Sequence, residues 1–289
     1  MANARGLLRV VSTPIGNLAD LSPRAREALE SADLIAAEDT RRTLTLLKSA
    51  GITRPLVSLH DHNESQRVPE LLARLASGAT VTLVSDAGTP LLSDPGFELV
   101  RAAARAGVRV EPVPGPSAIT AALAAAGLPV ERFCFEGFLP ARAHERRSAL
   151  AALAGETRTL VFFEAPHRIA SALKDLAAEF GDERPAVVAR ELTKIHETFY
   201  RGTLAELAAR AQDEEHFARG EVTLVVAGAP APKPGETDPA ELRRVLEILG
   251  RELPPGRAAA VAAALTGATR AEAYALATGT PRGSTDESG

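Results

Sequence analysis

The chain has 289 residues, enough for roughly two domains, and its 45% hydrophobic and 24% charged content is that of an ordinary globular protein. A net charge of −4 excludes tight binding of bulk nucleic acid, which needs many clustered Lys and Arg. Aromatics at 4%, with no Trp, exclude RNA recognition by a sheet of stacking rings.

The N-terminal run MANARGLLRVVSTP lacks the apolar core of a signal peptide. No apolar stretch approaches the length of a bilayer crossing, so the expectation is a soluble, cytoplasmic protein with no membrane partner. LLRVV at 7–11 predicts a first strand, broken by Ser12-Thr13-Pro14-Ile15-Gly16-Asn17. Ser22-Pro23 predicts a helix start, with Ser as the cap and Pro at the first helical position. DLIAA at 33–37 is a second strand ending in Glu38-Asp39-Thr40-Arg41-Arg42-Thr43, and a helix then runs to Gly51. PLVSL at 55–59 is a third strand, followed by His60-Asp61-His62-Asn63-Glu64 and a helix to about Ser77.

VTLVSDAGTPLLSDPG, residues 81–96, is the stretch around which this half is organised. Val81, Leu83 and Val84 read as a buried strand that opens into small and turn-forming residues. A helix from Pro95 to Ala106, a strand at 108–113 and Pro114-Gly115-Pro116-Ser117 complete the half. Regular alternation of strand and helix predicts a mostly parallel sheet with helices on both faces.

SAITAALAAAG at 117–127 predicts an Ala-rich bridge helix. Beyond it RFCFEGF, RTLVFFE, PAVVAREL, ETFYRG and EVTLVVA read as strands, with helices near 145–154, 167–180 and 203–215. The lone cysteine, Cys134, excludes an internal disulfide and a zinc ribbon, and reads as a small buried hydrophobe. ETFYRG follows PAVVAREL without a helix, which predicts an antiparallel pair and so a mixed sheet. GAPAPKPGETDP at 228–239 reads as a Pro-rich linker. Helices follow near 239–250, 256–265 and 269–277, an arrangement like a small helix-turn-helix, and the last residues have the composition of a disordered tail. The expected domains are 1–116, 117–230, 237–280 and the tail 281–289.

No G-x-G-x-x-G follows the first strand, no Gly precedes a Lys as in a P-loop, and neither H-E-x-x-H nor G-x-S-x-G occurs. The His60-x-His62 pair lacks a nearby third ligand, so no metal site is expected. What remains is a set of polar loops at 12–17, 38–43, 60–64, 85–94 and 114–117. In a parallel sheet such loops share one edge and form one wall of a cleft. Loops Glu164-Ala165-Pro166-His167-Arg168 and Glu191 to Glu197 are the candidates for the opposite wall. Taken alone, each of these is equally a solvated loop or a helix cap.

STPIGNLADLSPRA, DLIAAEDTRRT, SLHDHNE, LVSDAGTPLLSDPG, PVPGPSA, FCFEGFLP, TLVFFEAPHRI and ARELTKIHETFYRGTL, in this order, resemble the blocks of the bacterial ribosomal RNA small subunit methyltransferase I family. The resemblance covers residues 7 to about 228, and the C-terminal helices resemble that family's helix-turn-helix appendix. It implies an α/β, two-domain class III methyltransferase of the tetrapyrrole methylase fold, with its cofactor cleft between the domains. It implies S-adenosylmethionine as cofactor, a cytidine of 16S ribosomal RNA at the decoding centre as the site of 2′-O-methylation, the small ribosomal subunit as partner, and a homodimer. By the same resemblance Ile15, Gly16, Asp86, Ala87, Gly88 and Thr89 lie at the cofactor, with Leu91 or Leu92 packed on it. Ser117 and Ala118 lie at the domain junction, and Phe163, Glu164, Leu192 and Thr193 near the adenine or methionine part. SDAGTP stands where the tetrapyrrole enzymes carry a GDP run.

A ribose hydroxyl benefits from a general base. Glu38, Asp39, His62 and Glu197 are the candidates on the cleft edge, and Arg41 and Arg42 are placed to hold a phosphate beside the target ribose. Glu38 and Asp39 are equally suited to pairing with those arginines or capping the next helix. Basic patches that would meet RNA are Arg142, His144, Arg146 and Arg147, and, near the C-terminus, Arg243, Arg244, Arg251, Arg257 and Arg270. Two other readings compete: a small-molecule methyltransferase acting on a tetrapyrrole, against which EDTRRT and HDHNE speak, and a non-catalytic RNA-binding or assembly protein.

Overall fold

The computed structural model describes residues 6–230 and 239–278. Most of the expected Pro-rich linker and the expected disordered tail lie outside the described residues. The chain divides into two compact units, one ending at Ala229 and the other beginning at Pro230.

The first lobe of the larger unit is a parallel sheet of β1 (Leu7–Val11), β2 (Leu34–Ala37), β3 (Leu56–Ser58), β4 (Thr80–Val84) and β5 (Arg109–Val113), in the order β3-β2-β4-β1-β5. Between them run α1 (Pro23–Glu30), α2 (Thr40–Ser49), α3 (Glu64–Ala76) and α4 (Phe97–Arg105). Both sheet faces are covered, so apolar residues fill both sides of a strand. Val81 and Leu83 of β4 pack with Leu71, Leu75 and Leu99 of α3 and α4. Val84 faces the other way, into a core with Ala28, Leu29 and Leu47 of α1 and α2. α1 begins as its sequence dictates, with the Ser22 hydroxyl accepting the Ala25 N–H and Pro23 in the first turn. α4 starts two residues later than Pro95, because Gly96 at φ 117 holds the chain left-handed before the helix.

α5 (Ala118–Ala126) leads into the second lobe, whose sheet has the order β6-β7-β10-β8-β9. Its strands are β6 (Phe133–Phe138), β7 (Thr159–Glu164), β8 (Pro185–Arg190), β9 (Thr198–Thr203) and β10 (Val222–Val226). β6 and β7 are parallel, while β10 runs antiparallel to β7 and β8, and β8 to β9, which makes the sheet mixed. One face carries α6 (Ala143–Leu153), α7 (Ile169–Phe180) and α8 (Leu204–Asp213) over Leu160, Phe162 and Leu224. The other face carries α5 over Val161, Val187 and Val225, and Ile15 of the first lobe joins that core. Cys134 is half-buried against the first of these cores, less enclosed than its apolar surroundings in sequence suggest.

Arg146, expected on an RNA-facing patch, is instead buried. Its guanidinium lies 2.6 Å from Asp175 of α7, because the α6–α7 seam closes over it. The smaller unit contains α9 (Pro239–Leu249), α10 (Pro255–Thr266) and α11 (Arg270–Thr278), with a core of its own built on Leu242, Leu246, Ala259 and Ala273. On its surface Arg244 pairs with Glu241 at 2.8 Å and Arg251 with Glu247 at 3.2 Å. Among the described residues no helix is long and apolar enough to cross a membrane.

Candidate active site

β1, β2 and β4 lie side by side, yet the helices after β1 and β2 cover one face of the sheet and the helix after β4 covers the other. Their loops therefore part at the carboxyl edge and leave a crevice, the usual place for a ligand in a parallel sheet. Paired backbone hydrogen bonds between Thr13 and Gly88, at 2.9 and 3.0 Å, tie the β1 and β4 loops together. The Thr89 hydroxyl meets that of Ser12 at 2.9 Å and donates to the Pro116 carbonyl at 3.2 Å, which brings in the loop after β5. Gly88 sits at φ 86, and a Cβ there would come 3.3 Å from the Ile15 side chain, so the rim stays thin where these loops meet.

The crevice widens into a cavity of about 430 Å³ between the two lobes, within the size range of small-molecule and cofactor sites. The first lobe contributes Ile15, Glu38, Asp86, Ala87, Gly88 and Thr89. Leu92 and Asp94 follow from the same loop as Asp86, and Ser117 and Ala118 from the start of α5. Phe163, Glu164 and Leu192 line the second-lobe side. Phe163 stacks edge-on with Phe135 at 4.8 Å and tilts against Phe138 at 5.5 Å, giving that wall an aromatic face. A register shift between Phe135 and Phe138 distorts the β6–β7 pairing where Phe138 meets the cavity.

The other residues singled out in the sequence lie off this lining. Leu91 turns away from it and packs partly buried against the α3–α4 core. Gly16 faces the opposite lobe: a Cβ there would fall 2.4 Å from the Lys194 side chain and 2.8 Å from the Leu192 carbonyl. Thr193 stands at that same contact, and its N–H donates to Glu197 Oε2 at 2.7 Å, so Glu197 is engaged in shaping a loop. Asp39 caps α2 and grips the Arg41 guanidinium at 2.7 Å, which holds the Asp39 carboxyl far below the usual carboxylate range. His62 touches the His60 ring, with centroids 6.1 Å apart. Among the described residues no group of His, Cys, Asp and Glu is arranged to hold a metal ion.

Charge at the cavity is concentrated on acids. Asp86 Oδ1 accepts the Asp39 N–H at 2.9 Å, and Oδ2 lies 3.5 Å from Arg42 Nε. Glu38 is pushed above its ordinary value by burial and by the Asp86 charge. Asp94 is pushed up to about 7 by burial, with the Glu38, Asp86 and Asp61 charges adding to it and the Ser85 hydroxyl opposing. The significance of Asp94 was not visible in SDPG, which reads as a turn; it depends on three loops from distant parts of the chain meeting. Across the cavity Glu164 is buried against Arg168, with 2.7 Å between Oε1 and Nε, and Glu221 lies 3.2 Å from Lys194.

Among the described residues the non-glycine residues with positive φ are Leu91 (75°), Ser93 (71°), Glu191 (52°) and Thr193 (64°). All four lie in the loops 85–94 and 191–197, each of which contributes residues to the cavity lining. For a β-branched residue such as Thr193 that conformation is strained, and strain of this kind concentrates at ligand sites.

Comparison with known proteins agrees with this fold. Residues 8–208 match the family described as Tetrapyrrole (Corrin/Porphyrin) Methylases, and residues 236–279 match the RsmI C-terminal HTH domain. The ribosomal RNA small subunit methyltransferase I of Xylella fastidiosa (strain Temecula1) is 54% identical over 93% of this chain and 98% of its own. That of Escherichia coli O157:H7 is 50% identical over 95% of this chain and 96% of its own. Among solved structures, the methyltransferase CobJ superposes with a TM-score of 0.58 at 22% identity, covering 78% of this chain and 95% of its own. A uroporphyrin-III C-methyl transferase from Thermus thermophilus, complexed with S-adenyl homocysteine, gives 0.54 at 20% identity, covering 77% and 97%. These two likenesses carry the fold, and the sequence relatives carry the family. The chain belongs to the ribosomal RNA small subunit methyltransferase I family, within the tetrapyrrole methylases.

Proposed function

We propose that this chain 2′-O-methylates a cytidine in the decoding centre of 16S ribosomal RNA, on the assembled small subunit, with S-adenosylmethionine as methyl donor. The coarser part of this, a methyltransferase that uses S-adenosylmethionine on ribosomal RNA, follows from family membership. The observation that carries the reading to the site is the cavity between the lobes. Its small residues Ala87, Gly88, Ser117 and Ala118 allow close backbone approach, and Leu92, Leu192 and Phe163 provide apolar contact. Its acids suit a ligand bearing sulfonium and ammonium charges, so the residues present fit the cofactor. When bound, the cofactor supplies an activated methyl group.

The chain's own residues have the remaining tasks. The Thr13–Gly88 and Ser12–Thr89–Pro116 links hold the first-lobe rim rigid, so a ligand meets preformed contacts. Phe163 and Phe138 give the second-lobe side an apolar, aromatic surface. Arg42, on the first turn of α2 and paired with Asp86, is the cation of the lining that would meet a phosphate next to the target ribose. Arg41 lies outside the lining and is occupied by Asp39. The chain's net charge of −4 favours reading a folded ribosomal surface over naked RNA. The proposed assembly is a homodimer, which analytical ultracentrifugation tests.

The deciding experiment maps ribose methylation on ribosomal RNA from a strain lacking the gene, with and without the gene restored. One cytidine 2′-O-methyl group in small-subunit RNA should vanish and return. An unchanged map overturns the reading. In vitro, transfer should be much faster on small subunits than on free 16S RNA.

A further inference from the structure

Five carboxylates line the cavity: Glu38, Asp86, Asp94, Glu164 and Glu221. Three are already engaged by cations. Asp86 holds Arg42 as well as the Asp39 N–H, Glu164 holds Arg168, and Glu221 faces Lys194. Glu38 turns toward the Asp86 backbone, whose N–H lies 3.4 Å from its Oε2. That leaves Asp94. It is half-buried at the end of the 86–94 loop, and the groups acting on it most strongly are the acids Glu38, Asp86 and Asp61 and the Ser85 hydroxyl.

The left-handed Ser93 directs the chain into the Asp94–Pro95 step, and proline restricts the residue before it to extended conformations. The Asp94 backbone is thus constrained from both sides, as a group required to meet a substrate at a defined distance should be.

Resting on the functional reading above, we propose that Asp94 is the proton acceptor for the substrate hydroxyl, with Glu38 beside it in the same cavity lining. In the transfer step the hydroxyl oxygen gains a bond to the methyl carbon. The carbon–sulfur bond breaks with its electron pair kept by sulfur, and the hydroxyl proton passes to an Asp94 carboxylate oxygen. A base that titrates near neutral pH balances availability against proton affinity. Asp94, pushed up to about 7, meets that condition. The charged groups around it are Glu38 at the end of β2, Asp61 after β3, Asp86 after β4 and Arg42 on α2, with Glu164–Arg168 and Glu221–Lys194 on the facing lobe.

The test has two readouts. First, 13C-carboxyl NMR of the full-length, cofactor-free protein should show one aspartate titrating near neutral pH. That signal should be absent in Asp94→Asn and moved to lower pH in Glu38→Gln, which removes a neighbouring negative charge. Second, single-turnover methylation of small subunits at saturating S-adenosylmethionine should be about a hundredfold or more slower in Asp94→Asn. The acid limb of the wild-type rate profile should shift to lower pH in Glu38→Gln. An undiminished Asp94→Asn rate, or a limb that does not move, overturns the role of Asp94 while leaving the functional reading intact. Failure of the wild type to methylate small subunits overturns the functional reading itself.

Discussion

Asp94 has a second consequence, for stability, that needs no substrate. Its carboxyl titrates at 3.8 in an open chain and at about 7 in the fold. Between those values the unfolded chain has released a proton that the folded chain still holds. Stability therefore falls as pH rises through that window, the reverse of an ordinary salt-bridged aspartate. Asp94→Asn removes the dependence, so its melting temperature should gain on the wild type between about pH 4.5 and about pH 8. Parallel melting curves across that range would contradict the crowding of Glu38, Asp86 and Asp94. Arg146 makes the opposite case, a charge that is settled. Asp175→Ala leaves its buried guanidinium without a counter-charge, with only the Pro140 and Ala141 carbonyls at 3.4 and 3.3 Å to receive it, and urea unfolding should show a loss of about 3 kcal/mol. The same variant should leave the salt dependence of subunit binding unchanged, since this arginine is not at the surface. At this scale the sequence was informative where chemistry is local. Ser22 and Pro23 announce a cap, and Gly88 a turn that takes a positive φ. It was uninformative where a role depends on distant neighbours: the environment of Asp94 comes from loops after β2, β3 and β4, and the burial of Arg146 from α7.

At the scale of elements, the loops after β1 and β8 form one joint. Gly16 of the first lobe abuts Lys194, Leu192 and Thr193 of the second, and Glu197 fixes the Thr193 N–H. Gly16→Ala places a methyl 2.8 Å from the Leu192 carbonyl, a backbone atom that cannot swing aside. The loop carrying Leu192 should retreat from the cavity, and S-adenosylhomocysteine affinity by calorimetry should fall by about tenfold, or ~1.4 kcal/mol. Unaltered affinity would mean that the joint does not set the cavity. The elements themselves were legible because each has a strong local signal: β-branched runs, Gly and Pro breaks, and periodic Leu and Ala. Pairing of β8 with β9 was legible because no helix separates them. The place of β10 was not. Its VTLVV run, buried at every position, identifies an interior strand, yet nothing in it says that the last strand enters between β7 and β8. That insertion brings Thr223 to the cavity, a residue the sequence offered no reason to single out.

For the whole molecule, the residues lining the cavity all fall between Ile15 and Thr223, inside the larger unit. The helices α9 to α11 close a core of their own, from Leu242 to Ala273. Ligand binding and whatever the C-terminal helices recognise are therefore expected to be separable in energy. A ligand that binds only the folded form stabilises what it binds by an amount set by its concentration over Kd, about 2.7 kcal/mol at a hundredfold excess. Scanning calorimetry of the full chain with S-adenosylhomocysteine should move the transition of the larger unit upward and leave that of the smaller unit in place. A chain ending at Ala229 should bind the same ligand with unchanged affinity and lose methylation of small subunits, because α9 to α11, which carry Arg243, Arg257 and Arg270, are then missing. If truncation abolishes ligand binding as well, the C-terminal helices are part of the cofactor site and the separation is wrong. If methylation survives truncation in full, they take no part in recognising the subunit.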